Sequence, residues 1–111
     1  MSKYIAIARE VVSSHKFVQL SAGWCPDCVY SNSIWKKFGV TDKIFNYDIA
    51  EVTNSRSEWN EIRDAFQKAT GSRNLPTLYV DGKVWGTESE LARFERNGTL
   101  KEELQKIGLV D

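Results

Sequence analysis

The chain has 111 residues, 41% of them hydrophobic and 12% aromatic, which suits one globular domain over residues 1–111 with a core of its own. Fifteen Lys and Arg balance fifteen Asp and Glu, leaving no basic footprint for nucleic acid and no polybasic patch for anionic lipid. The N-terminal apolar run is short and broken by Arg9-Glu10, and no segment approaches the roughly 20 apolar residues of a membrane span; a reducing, cytoplasmic setting is expected.

Tyr4, Ile5, Ala8, Val11 and Val12 recur at helical spacing and predict an amphipathic helix over Ser2–Ser14, with Lys3, Arg9 and Glu10 facing out. Phe17–Leu20 is a short β-prone run. Ser21, Ala22 and Gly23 loosen the backbone before Trp24-Cys25-Pro26-Asp27-Cys28, which holds both cysteines of the chain. Pro26 lacks an amide hydrogen and fits a first helical turn. A helix is therefore expected from Cys25 through Tyr30, Ile34, Trp35 and Phe38, stopped by Gly39.

Ile44–Ile49 predicts a second strand, and strand, helix, strand within about thirty residues makes a right-handed parallel βαβ unit. The polar stretch Glu51–Ser57 leads into a third helix carrying Trp59, Ile62, Ala65, Phe66 and Ala69 and ended by Gly71. Thr77–Val80 and Lys83–Trp85 flank Asp81-Gly82 and read as an antiparallel hairpin. Thr87 with Glu90, and Thr99 with Glu102, fit capping boxes for two closing helices, the last ending at Gly108. The order is αβαβαββαα.

Only the cysteine pair can carry redox chemistry. Disulfide exchange needs a thiolate, and Cys25 at a helix start faces unpaired amides and the positive end of the helix dipole, which favour one. Cys25 is thus the expected nucleophile, and Cys28, one turn on and more buried, the residue that resolves a mixed disulfide. Asp27 repels a thiolate yet suits a first helical turn, so its net effect stays open. Trp24 either offers a flat apolar surface to a partner disulfide or packs locally. A structural zinc site wants four N or S ligands, and the chain has two cysteines and one histidine, His15, outside the motif. No resident metal is expected, although a cluster bridged between two protomers, completed by outside thiols, stays open.

The Cys25-Pro26-Asp27-Cys28 motif, together with Gly71-Ser72-Arg73-Asn74-Leu75-Pro76-Thr77 and Asp81-Gly82-Lys83-Val84-Trp85-Gly86-Thr87-Glu88-Ser89, resembles the glutaredoxins across nearly the whole chain. That resemblance implies a thioredoxin fold with a central four-stranded mixed sheet and a cis-proline, Pro76, facing the cysteines. It implies a dithiol thiol–disulfide oxidoreductase, a monomer with no tightly bound cofactor, that reduces disulfide or glutathionylated substrates and draws on glutathione. The implied glutathione contacts are Arg73 near the glycine carboxylate, the Leu75 backbone along the cysteinyl part and Ser89 at the γ-glutamyl end.

Three positions depart from the family pattern: Ala22 stands where a lysine is usual, Asp27 where an aromatic is common, and Thr87 where a second glycine is found. One cation is lost and one anion gained beside an anionic tripeptide, a change worth up to ~4 kcal/mol per contact at close range and less when exposed. Weak glutathione turnover is therefore expected. Trp-Cys-Pro-Asp-Cys is also the motif of small thioredoxin-related proteins fed by thioredoxin reductase, and that reading rests on the motif alone.

Overall fold

In the computed structural model, which describes residues 3–111, the elements run α1 (Tyr4–Ser14), β1 (Phe17–Ser21), α2 (Pro26–Lys37), a 3-10 turn (Thr41–Lys43), β2 (Phe45–Asp48), α3 (Ile49–Val52), α4 (Arg56–Thr70), β3 (Thr77–Val80), β4 (Lys83–Thr87), α5 (Glu88–Asn97) and α6 (Leu100–Lys106). The Ser2 start expected for the first helix lies outside the described residues. Four strands form one mixed sheet in the order β2-β1-β3-β4, the thioredoxin-fold arrangement expected.

β1 is a central strand, and all five of its residues are buried. Its alternation sends Val18 and Leu20 into a cluster with Tyr4, Ile5, Ala8, Ile62, Ala65 and Phe66 of α1 and α4. Phe17 joins the opposite cluster, with Ile34 and Trp35 of α2 and Leu91, Leu100 and Leu104 of α5 and α6. Helices thus cover both faces of the sheet. Each fully buried large side chain contributes about 1.5–3 kcal/mol of hydrophobic free energy.

Gln19 breaks this apolar pattern at 1% exposure. Its carbonyl oxygen accepts from Ser31 Oγ at 2.7 Å and Trp35 Nε1 at 2.9 Å. Its amide nitrogen donates to Asn32 at 2.9 Å and Asn46 at 3.0 Å. One side chain therefore bonds α2 and β2 to β1, and its full complement of partners removes the penalty for burying an amide.

Strand register sets the position of the site. Ser21 pairs with Asp48 in the parallel ladder, and Leu20 pairs with Thr77 in the antiparallel one. The ends of β1 and β2 and the start of β3 therefore lie at one edge of the molecule, with Pro76 just ahead of β3. The hairpin turn expected at Asp81-Gly82 forms with φ of 53° and 82° at the two residues, the left-handed geometry that a two-residue hairpin favours.

Some local expectations change. The second strand stops at Asp48, and Ile49–Val52 adds a one-turn helix, because Asp48 Oδ1 accepts the Ala50 amide at 2.9 Å and caps it. Thr87 and Glu90 form the capping box, with the Thr87 amide 2.7 Å from Glu90 Oε1. Thr99 does not: its hydroxyl turns back to the Phe94 carbonyl at 3.5 Å, and α6 starts without a side-chain cap. His15 is exposed and stacks on Phe45, with ring centroids 4.2 Å apart.

Candidate active site

Cys25 is the N-cap residue of α2, and Pro26 follows in the first turn. The Cys25 amide donates to the Ala22 carbonyl at 3.0 Å, and the Cys25 carbonyl accepts the amides of Cys28 and Val29 at 3.0 Å each. These bonds fix the turn that presents its side chain. Cys25 Sγ lies 3.6 Å from the carbonyl oxygen of Leu75, the residue joined to Pro76 by a cis peptide bond. Cys25 as a whole residue is 9% exposed, nearly buried.

Cys28 is fully buried one turn further on. Its sulfur accepts the Ala22 amide at 3.4 Å. Burial pushes its thiol well above the usual value, the Ala22 amide partly opposing this and the neighbouring Cys25 and Asp48 adding to it. Both cysteines are free thiols here. The pair thus divides into a nearly buried Cys25 at the helix start and a fully buried Cys28 one turn on, whose thiol is held neutral.

Two residues that the sequence reading passed over brace this loop. Asp48 Oδ1 accepts the Gly23 amide at 3.0 Å as well as that of Ala50, so the end of β2 holds the turn before the motif. A Cβ on Gly23 would stand 3.2 Å from Asp48 Oδ2, which makes glycine the comfortable residue there. Asn74 donates through one side-chain nitrogen to the Pro76 carbonyl at 2.9 Å and to Glu88 at 2.7 Å. Thr77 Oγ1 donates to the Asn74 carbonyl at 2.7 Å. The segment before β3 is therefore tied both to itself and to the start of α5.

Arg63 of α4 is a third. Its Nε donates to the Arg73 carbonyl at 3.0 Å. Burial and the like charge of Arg73 lower its proton affinity, while the fields of Cys25, Asp64 and Cys28 raise it. It lines one cleft with Trp24, the residue next to Cys25. Arg73 itself pairs with Asp64 at 3.2 Å and keeps a side chain 42% exposed. Ser89 is exposed at the start of α5, its hydroxyl 3.4 Å from Glu88 Oε2, and is linked to the Pro76 segment through Glu88 and Asn74.

The glutaredoxin family model matches residues 11–85, which include both cysteines and Pro76. The chain belongs to the glutaredoxin family. It is 58% identical over 110 residues to glutaredoxin-8 of Saccharomyces cerevisiae, covering 99% of each chain. The solution structure of that yeast dithiol glutaredoxin superposes with a TM-score of 0.88, covering 100% of both chains. Oxidized glutaredoxin 2 of Chlamydomonas reinhardtii matches at 27% identity and TM-score 0.73, over 97% of this chain and 96% of that one. A buckwheat glutaredoxin–glutathione complex shares the fold, with TM-score 0.71 at 20% identity over 100% of this chain and 99% of that one.

Among glutaredoxin-type departures, Ala22 has the clearest structural reading. Its side chain is fully buried, so a lysine there would have to leave the core to reach solvent. Asp27 is exposed in the first turn of α2, where its charge suits the helix start. Thr87 caps α5, a role that glycine fills less well than threonine. Gly86, by contrast, has no room for a side chain: a Cβ would stand 2.9 Å from Glu90 Cγ, part of the capping box.

Proposed function

We propose that this glutaredoxin is a dithiol thiol–disulfide oxidoreductase that acts as a monomer in the cytoplasm on disulfide or glutathionylated substrates, with glutathione as its reductant. The observation that carries this reading is the unequal setting of the two cysteines: Cys25 caps the helix start with 9% of its surface exposed, and Cys28 lies fully buried one turn below. A nucleophile must be reached, and a resolving thiol must be protected from competing disulfides.

In the forward reaction the Cys25 thiolate attacks one sulfur of the substrate disulfide. A bond forms between them, and the other substrate sulfur leaves as a thiolate and takes up a proton. Cys28 then loses its proton and attacks Cys25 Sγ, expelling the first substrate sulfur and leaving a Cys25–Cys28 disulfide. The substrate has gained two electrons and the enzyme has lost them. One glutathione thiolate opens that disulfide at Cys25, and a second removes the bound glutathione as glutathione disulfide, restoring both thiols.

Arg63 and Arg73 supply positive charge for a glutathione carboxylate, the Leu75 backbone supplies strand-type contacts, and Ser89 stands at a helix start that favours the γ-glutamyl carboxylate. Asp27 adds a negative charge at the motif, which supports weak turnover with glutathione. The deciding experiment feeds the oxidised protein with glutathione plus glutathione reductase, or with thioredoxin reductase, and follows NADPH. Reduction through glutathione is expected; exclusive reduction by thioredoxin reductase would replace this reading with the thioredoxin-related one.

A further inference from the structure

Beside Cys25 lies a cleft that shares Arg63 with the glutathione contacts and extends beyond them to residues the exchange steps do not use. This open cleft of about 440 Å³ is lined by Trp24, Arg56, Trp59, Asn60 and Arg63. Its floor is aromatic: the Trp24 and Trp59 rings lie 5.2 Å apart, tilted by 43°, and Trp24 is 51% exposed. The Trp59 indole N–H is spent on the carbonyls of Thr53 at 2.7 Å and Ile49 at 3.1 Å, which fixes that ring against α3.

The rim is cationic. Arg56 is exposed and enters no ion pair among the described residues. No acidic residue lines the cleft, and Asp64, next to Arg63 in the chain, is already paired with Arg73. A chain of zero net charge therefore concentrates unpaired positive charge over an apolar floor one residue from its reactive cysteine.

We propose that this cleft docks the polypeptide flank of a protein disulfide substrate: an extended segment with an aliphatic or aromatic residue against the two indoles and a carboxylate side chain at Arg56. The inference rests on the reading that Cys25 exchanges disulfides. Glutathione, a γ-glutamyl-cysteinyl-glycine, has no apolar side chain to cover the tryptophans, whereas a polypeptide covers the floor and satisfies the rim together. Buried aromatics and arginines are the residue types that carry most energy at protein interfaces, and a guanidinium meets a carboxylate through paired hydrogen bonds. The docked disulfide gains two electrons and becomes two thiols, while Cys25 and Cys28 become the enzyme disulfide.

Two cyclic peptides, each closed by one disulfide and differing only beside the cysteine, test this: one carries Leu-Glu there and the other Ser-Lys. In a single turnover without glutathione, the pre-reduced protein is expected to reduce the Leu-Glu peptide roughly tenfold faster. Arg56→Glu should cancel or invert that preference and leave reduction of hydroxyethyl disulfide unchanged. The variant is exposed in the first turn of α4, where an acidic residue suits the helix. Trp59→Leu should slow the Leu-Glu peptide alone. Equal rates on the two peptides, or a preference that survives Arg56→Glu, overturns the docking proposal. If neither peptide nor hydroxyethyl disulfide is reduced by the unaltered protein, the exchange reading itself fails and this one goes with it.

Discussion

The amide of Ala22 donates to the sulfur of Cys28 at 3.4 Å, so the second sulfur of the motif is held by the loop that precedes the helix as well as by the helix that carries it. Asp48 anchors the same loop through Gly23. The state of Cys28 therefore depends on residues that the motif does not contain.

Separate roles for the two sulfurs make separate losses. Cys25→Ser should abolish exchange with every substrate. Cys28→Ser should retain deglutathionylation, in which an outside glutathione does the resolving, and lose reduction of protein disulfides. Steady-state assays with a glutathionylated peptide and with a protein disulfide distinguish these outcomes, and equal loss in both variants would contradict the assignment.

Alkaline pH should weaken the reduced protein. Folding raises the Cys28 thiol above its unfolded value, so the folded state holds that proton more tightly. The stability this contributes is fully present below the unfolded pKa of about 8.5 and is lost as pH rises through the folded value. Thermal melts of the reduced protein should be level between about pH 6 and 8 with respect to this group and decline above. Cys28→Ala should flatten the decline. Because burial holds the Cys28 proton, the resolving step should accelerate as pH rises, measured by release of substrate thiol in a single turnover.

Glutathione use should respond in opposite directions to two charges. Asp27→Tyr removes an exposed anion and should raise kcat/KM for glutathione, by roughly two- to fivefold for an exposed contact. Arg63→Ala removes a cation from the cleft beside Trp24 and should lower it by a larger factor, mainly through KM. Ala22→Lys is a poor route to the same gain, since its side chain starts fully buried. A coupled glutathione reductase assay reads all three.

Gln19→Leu should cost about 3 kcal/mol. The substitution strips partners from the Trp35 indole N–H and from Asn32 and Asn46, and leucine cannot replace them. Gly86→Ala should cost about 1 kcal/mol through the displaced Glu90 cap. Urea denaturation of the reduced protein measures both, and a neutral Gln19→Leu would show that the polar cluster contributes nothing to stability.

What could be read in advance was local. Pro26 in a first turn, the stops at Gly39 and Gly71, the Asp81-Gly82 turn and the Thr87 capping box each follow from the backbone preferences of a few adjacent residues. What escaped was contact across the chain. Asp48 looks like the tail of a strand until its carboxylate meets Gly23, 25 residues away. Arg63 carries no local signal until the fold places it in one cleft with Trp24, the neighbour of Cys25. Gln19 falls inside the β-prone run Phe17–Leu20 with nothing to mark it as a hub, because partners at 12, 13, 16 and 27 residues' distance are invisible in a local pattern. Thr99 shows the converse: its spacing to Glu102 is right, but the neighbouring Phe94 carbonyl competes for the hydroxyl.

The Gln19 cluster also divides the site into two jaws. One jaw is β1, α2 and β2, riveted by hydrogen bonds between their side chains, and it carries both sulfurs. The other is α4 with the strap ahead of β3, which carries Trp59, Arg63, Arg73 and Pro76. The rivets of the first jaw do not reach into the second; the sulfurs meet the second jaw through the Leu75 carbonyl and an apolar cluster with Ile62 and Phe66, so its exposed residues, such as Arg56 and Asn60, can change without disturbing how the sulfurs are held. Substrate choice can then drift across related proteins while the exchange chemistry stays put.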